Sequence, residues 1–95
     1  MMYNVDTKNK DGKTMKNEFL SKKPNLVQLV LDYFAKNDEI SLSVFQRKFH
    51  IGFAIAAQLL DALIEIGVVE ETPTSGIPTR RLIRENLNNL EEYAQ

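Results

Sequence analysis

The stretch that decides the fold is Ile40-Ser41-Leu42-Ser43-Val44-Phe45-Gln46-Arg47-Lys48-Phe49-His50-Ile51-Gly52-Phe53-Ala54-Ile55-Ala56-Ala57-Gln58-Leu59-Leu60-Asp61. Ile40-Ser41-Leu42 alternates briefly, enough for a short strand. Ser43 offers a side-chain cap for a helix over Val44–His50, with Val44, Phe45 and Phe49 inward and Gln46, Arg47 and Lys48 outward. Ile51-Gly52 reads as a tight break. A second helix then follows over about Phe53–Ile66, its apolar positions Ile55, Ala56, Leu59, Leu60, Leu63 and Ile64 recurring at helical spacing. Two short helices joined by a few residues form a helix-turn-helix.

The flanks complete a known arrangement of elements. Upstream, Pro24 suits the first position of a helix, and Leu26, Val27, Val30, Leu31 and Phe34 form one apolar stripe as far as Lys36. Downstream, Gly67 ends the second motif helix in the left-handed conformation glycine tolerates. Val68-Val69 and Arg80-Arg81-Leu82-Ile83 then read as two strands around a turn, Thr72-Pro73-Thr74-Ser75-Gly76-Ile77-Pro78. Leu87, Leu90, Tyr93 and Ala94 mark a short amphipathic helix at the end. The expectation is an α+β, mostly α fold: a winged helix-turn-helix with a three-helix core, a two-stranded wing over Val68–Ile83 and an extra C-terminal helix.

Charge divides the chain unevenly. Residues 1–23 carry six lysines against three acids, while residues 24–95 carry six bases against ten acids. The polar leading segment 1–23 therefore reads as a disordered, lysine-rich arm, most simply a solubilising tail and otherwise a weak phosphate contact. The folded expectation is a winged-helix domain over 24–83 and a C-terminal helix over 84–95.

Composition narrows the function classes. The 95 residues are 43% hydrophobic and 26% charged, ordinary values for one small globular domain. Net charge is −1, so bulk charge alone does not hold this chain to nucleic acid. The absence of cysteine removes disulfides, thiolate metal sites and thiol nucleophiles, and fits a reducing, cytoplasmic setting. No apolar run approaches a membrane span, and residues 1–23 lack the apolar centre of a signal peptide. The acidic neighbours Asp38-Glu39, Glu70-Glu71 and Glu91-Glu92 point apart on any helix or strand, so they make no catalytic dyad. His50 has no carboxylate at ligand spacing and reads as a structural or solvated side chain. The four glycines form no phosphate-cradling loop. The expectation is a protein that is not an enzyme, with no cofactor, metal, membrane or small-molecule substrate.

The block Gln46–Asp61 closely resembles the gamma domain of the FtsK/SpoIIIE family of DNA translocases. That family carries a pattern like Gln-Arg-Arg-Phe-x-Ile-Gly-Tyr-Asn-Arg-Ala-Ala-Arg-Leu-Ile-Asp, then a Gly-Ile-Val strand and a wing with a proline. Here Gln46, Arg47, Lys48, Phe49, Ile51, Gly52, Ala56, Ala57 and Asp61 hold the framework, with Gly67-Val68-Val69 and Pro78 further on. The resemblance covers about Leu26–Ile83. It implies a bacterial winged-helix domain that reads short oriented sequences in double-stranded DNA, directs a hexameric motor and touches the recombinase the motor activates. Three reading positions depart from it: Ala54, Ile55 and Gln58 stand where the family has Asn, Arg and Arg. Ala and Ile offer no hydrogen bond to a base edge, whereas Gln58 can still pair with adenine.

Two function classes follow. In the first, the chain binds duplex DNA mainly through phosphates, using Arg47, Lys48, Thr79, Arg80, Arg81 and Arg84, with Gln58 left for base contact. For the basic pair the competing reading is a solvated helix face, and for the wing arginines it is protection of a strand edge by charge. In the second, the frame is reused for protein contact. Phe53 and Ile55 then provide an apolar docking spot, and Leu87, Leu90 and Tyr93 provide a partner or homodimer surface; packing of that helix onto the first is the bland alternative. A freestanding regulator from a mobile element is a third reading.

Overall fold

The computed structural model describes residues 17–73 and 79–94. Its first element is a four-residue helix, α1 (Glu18–Ser21), capped by the Asn17 side chain, which accepts from the Leu20 N–H at 3.0 Å. Leu20 is completely buried, and α1 lies against both α2 (Pro24–Phe34) and α4 (Phe53–Glu65). The expectation of a disordered arm over 1–23 is thus corrected for Asn17–Lys23, where a single buried leucine anchors the turn. Residues 1–16 lie outside the described residues.

Helix α2 begins with Pro24 in its first turn, as its missing N–H allows, and buries Val27, Val30 and Phe34. A two-residue strand β1 (Glu39–Ile40) leads into α3 (Leu42–Phe49). The cap of α3 is Ser41, whose hydroxyl accepts from the Val44 N–H, and not Ser43. The helix accordingly starts two residues earlier than expected, and the strand is displaced to Glu39–Ile40. Helix α4 follows and buries Ala56, Leu59, Leu60, Ala62 and Leu63 along one stripe. It closes on Gly67 at φ +80°, the left-handed exit expected of that glycine.

The two runs expected to form the wing pair, though over fewer residues than the expected strands. Val69 bridges Leu82 in antiparallel register, the Glu70 N–H donates to the Arg81 carbonyl, and the Ile83 N–H donates to the Val68 carbonyl. Strand β2 (Arg80–Arg81) also pairs with β1 on its other side, Glu39 opposite Arg81 and Ile40 opposite Arg80. The returning strand is therefore central, which ties the wing to the entry of the helix-turn-helix. The turn tip, residues 74–78 and with it Pro78, lies outside the described residues.

The C-terminal segment is a 3₁₀ turn (Arg84–Asn86) followed by α5 (Asn88–Glu91). Its polar side chains close helix ends that would otherwise keep orphan carbonyls. Asn86 and Asn89 donate to the Gly67 and Ile66 carbonyls at 2.9 Å, beyond the last turn of α4. Arg84 donates to the Phe34 carbonyl at 3.1 Å, at the end of α2. Leu90 is fully buried and Tyr93 nearly so, with α5 packed on α2. The Tyr93 hydroxyl accepts from the Asn17 N–H, joining the two ends of the described chain.

Candidate nucleic-acid interface

The candidate surface is built on the turn between α3 and α4. Helix α3 is held by aromatic packing: Phe45 stacks on Phe49 with centroids 5.5 Å apart, and Tyr33 meets Phe49 edge-on at 6.3 Å. The residue that turns the chain is His50, at φ +56°. Gly52 is the N-cap of α4 at φ −76°, and a Cβ placed there meets nothing within 4 Å. The tight break expected at Ile51-Gly52 is thus made by the histidine before it. The His50 side chain itself is exposed.

Two sets of side chains border this turn. Arg47 and Lys48 lie in the last turn of α3 and are exposed, where a positive charge also complements the helix dipole. Neither makes an ion pair among the described residues, where Arg84–Asp38 is the one such pair found. At the head of α4, Phe53 is 62% exposed and Ala54 and Gln58 are exposed, whereas Ile55 is half-buried. Phe53 thus projects outward instead of packing in. Along α4 the outward stripe Ala54, Gln58, Asp61 and Glu65 changes from neutral to acidic. An open cleft separates its later part from α1 and is lined by Asn17, Phe19, Gln58, Asp61 and Glu65, among others.

The wing residues separate into different roles. Arg81 lies on the outer face of β2 and is exposed, opposite Glu39 in the ladder. Arg80 shares the inner face with Leu82, is half-buried, and donates to the Glu71 carbonyl, which holds its guanidinium across the wing. The Thr79 hydroxyl oxygen is buried and has no hydrogen-bond partner among the described residues, so it does not present a donor at the surface. Arg84 pairs with Asp38 and the end of α2, committing it to the fold.

Of the seven DNA-contact candidates, Arg47, Lys48, Gln58 and Arg81 are thus exposed without a fold-committing bond among the described residues, and the structure gathers Arg47 and Lys48 beside the turn that opens α4. The C-terminal docking face does not form: Leu90 and Tyr93 are core residues and Leu87 packs against the core. The reason is simple amphipathic burial, because the only apolar stripe on this segment is consumed by α2 and its neighbours. Asn86 and Asn89, which close α4, were not singled out in the sequence; asparagine in a polar run carries no signal for a carbonyl about twenty residues away.

Among the described residues no helix is long and apolar enough to cross a membrane, and no group of three or more His, Asp or Glu is placed to hold a metal ion. Three α-helices packed around one core, a short helix-turn-helix and a wing paired to its entry strand define a winged helix. The family model of the FtsK gamma domain matches residues 21–83, most of the described fold. The chain belongs to that family. No curated protein and no solved structure gives a significant match.

Proposed function

We propose that this chain is a DNA-binding module that holds duplex DNA chiefly by its phosphates, with α4 presented to the major groove. The observation that supports this reading is the exposed Arg47–Lys48 couple, without an ion pair among the described residues, beside the head of α4 in a chain of the FtsK gamma family. In a helix-turn-helix the second helix enters the groove by its first residues while the first helix crosses the backbone. Cations at the end of α3 are then placed for phosphates on the groove's edge. Arg81 on the outer face of the wing adds a third such contact.

The distribution of acids gives this docking its polarity. Asp61 and Glu65 occupy the far part of the outward stripe of α4 and repel phosphate. Contact is therefore confined to the head of the helix, and affinity rests on few charges. The role is binding without a catalytic step, exercised where bacterial chromosomal DNA lies, in the cytoplasm.

The test is fluorescence anisotropy of a labelled random-sequence duplex with the Arg47→Ala/Lys48→Ala double variant. Removing two phosphate contacts lowers the log–log salt slope by about 1.8 and weakens binding across all sequences alike. An unchanged slope overturns the assignment of these residues. A second reading is favoured by the exposure of Phe53: the same surface receives a protein partner. Absence of duplex binding at low salt, with the fold intact, would select it.

A further inference from the structure

We infer that the head of α4 reads thymine and adenine, through an apolar contact to the thymine methyl group and an amide contact to adenine. This rests on the DNA-binding reading above and goes beyond it by naming the bases. Ala54 and Gln58 are both exposed and stand one helical turn apart on the same face, so they enter a groove together. Gln58 makes no hydrogen bond among the described residues, and a glutamine amide can donate and accept at once. That two-point pattern matches the N6 donor and N7 acceptor of adenine in the major groove. Ala54 offers only a methyl group, which has one specific counterpart on a base edge, the thymine C5-methyl.

Phe53 extends the apolar surface. It is 62% exposed at the first position of the helix, an unusual place for a phenyl ring unless something covers it. The separation also fits: four residues at 1.5 Å rise is about 6 Å along the helix. Base pairs stack about 3.4 Å apart, so the two contacts fall within about two steps of each other. No charged residue lies among Phe53, Ala54, Ile55, Ala56, Ala57 and Gln58, so guanine has no arginine or lysine to meet on this stretch.

The experiment selects duplexes from a randomised 12-base-pair library with the full 95-residue chain at low salt. The best duplex is then remade with deoxyuridine at each thymine in turn, which removes one methyl group and leaves base pairing intact. The expected result is a motif containing thymine and adenine within about two steps of each other, and a roughly fourfold loss at one thymine, the worth of about one buried CH2 group. Gln58→Ala is expected to relax selection for the adenine at least fivefold, the lower bound for a bidentate pair. Gln58 is exposed, so this variant keeps the fold. Duplex binding with a flat selection, or with no effect of any deoxyuridine, overturns the inference and leaves phosphate binding standing. No retained duplex at low salt overturns both.

Discussion

Replacing Leu20 by alanine tests whether the helix before α2 is part of the fold. Leu20 is the one fully buried residue of α1, and it belongs to the same core as Val27, Val30, Leu59 and Leu63. Its removal leaves a cavity at the meeting of α1, α2 and α4. The loss is the transfer energy of the side chain plus the cost of the cavity, which for leucine to alanine amounts to about 3–5 kcal/mol. A domain of this size is stable by about 5–15 kcal/mol in all, so the variant loses a large share of its margin. Thermal unfolding followed by far-ultraviolet circular dichroism reads this directly, since tryptophan is absent. At about 4–8 °C per kcal/mol the midpoint falls by more than about 10 °C. Lys22→Ala, on the exposed side of the same turn, shifts the midpoint little and serves as the control. A Leu20→Ala midpoint within 2 °C of the parent would refute the burial argument for Asn17–Lys23.

Three further outcomes follow from the geometry. His50 occupies the left-handed region, so His50→Val costs about 1–2 kcal/mol in urea unfolding while His50→Asn is nearly neutral; equal stability of the two would contradict the strained turn. Asn86→Ala combined with Asn89→Ala removes two bonds to carbonyls beyond the end of α4 and costs about 1 kcal/mol for each, measurable by the same unfolding. Arg84→Ala lowers stability by about 1 kcal/mol through the Phe34 carbonyl and leaves the salt slope of DNA binding unchanged, whereas a phosphate contact would lower that slope by about 0.9.

The helix-turn-helix was legible because its signals agree: an apolar stripe at helical spacing in each partner and glycine at the exit of α4. The wing was legible for the same reason, two short runs of strand formers around a proline- and glycine-containing turn. What escaped is of another physical kind. Helix α1 has one turn and one buried side chain, too little for a periodic pattern to register. Ser41 and Ser43 are equally good caps in isolation, and their hydroxyls lie 3.2 Å apart. Only the pairing of Ile40 with Arg80 decides that the strand stops in time for Ser41 to serve.

At the site the division is similar. Exposure of Arg47, Lys48 and Gln58 follows from helical periodicity and was open to sequence reasoning. The commitment of Arg84 to a carbonyl fifty residues earlier, of Arg80 to the Glu71 carbonyl, and of the Thr79 hydroxyl to the interior follows from tertiary contacts. No local pattern encodes these. The exposed ring of Phe53 reverses the inward packing its type favours, and that reversal directs attention to the head of α4.

The central claim is that a few exposed cations hold this winged helix on DNA, and the salt dependence of binding tests it most directly. Three phosphate contacts, from Arg47, Lys48 and Arg81, give a log–log slope of about −2.7, so affinity for a random-sequence duplex falls about 40-fold between 50 and 200 mM salt. A slope near zero, or no binding at the lower salt, would contradict this reading.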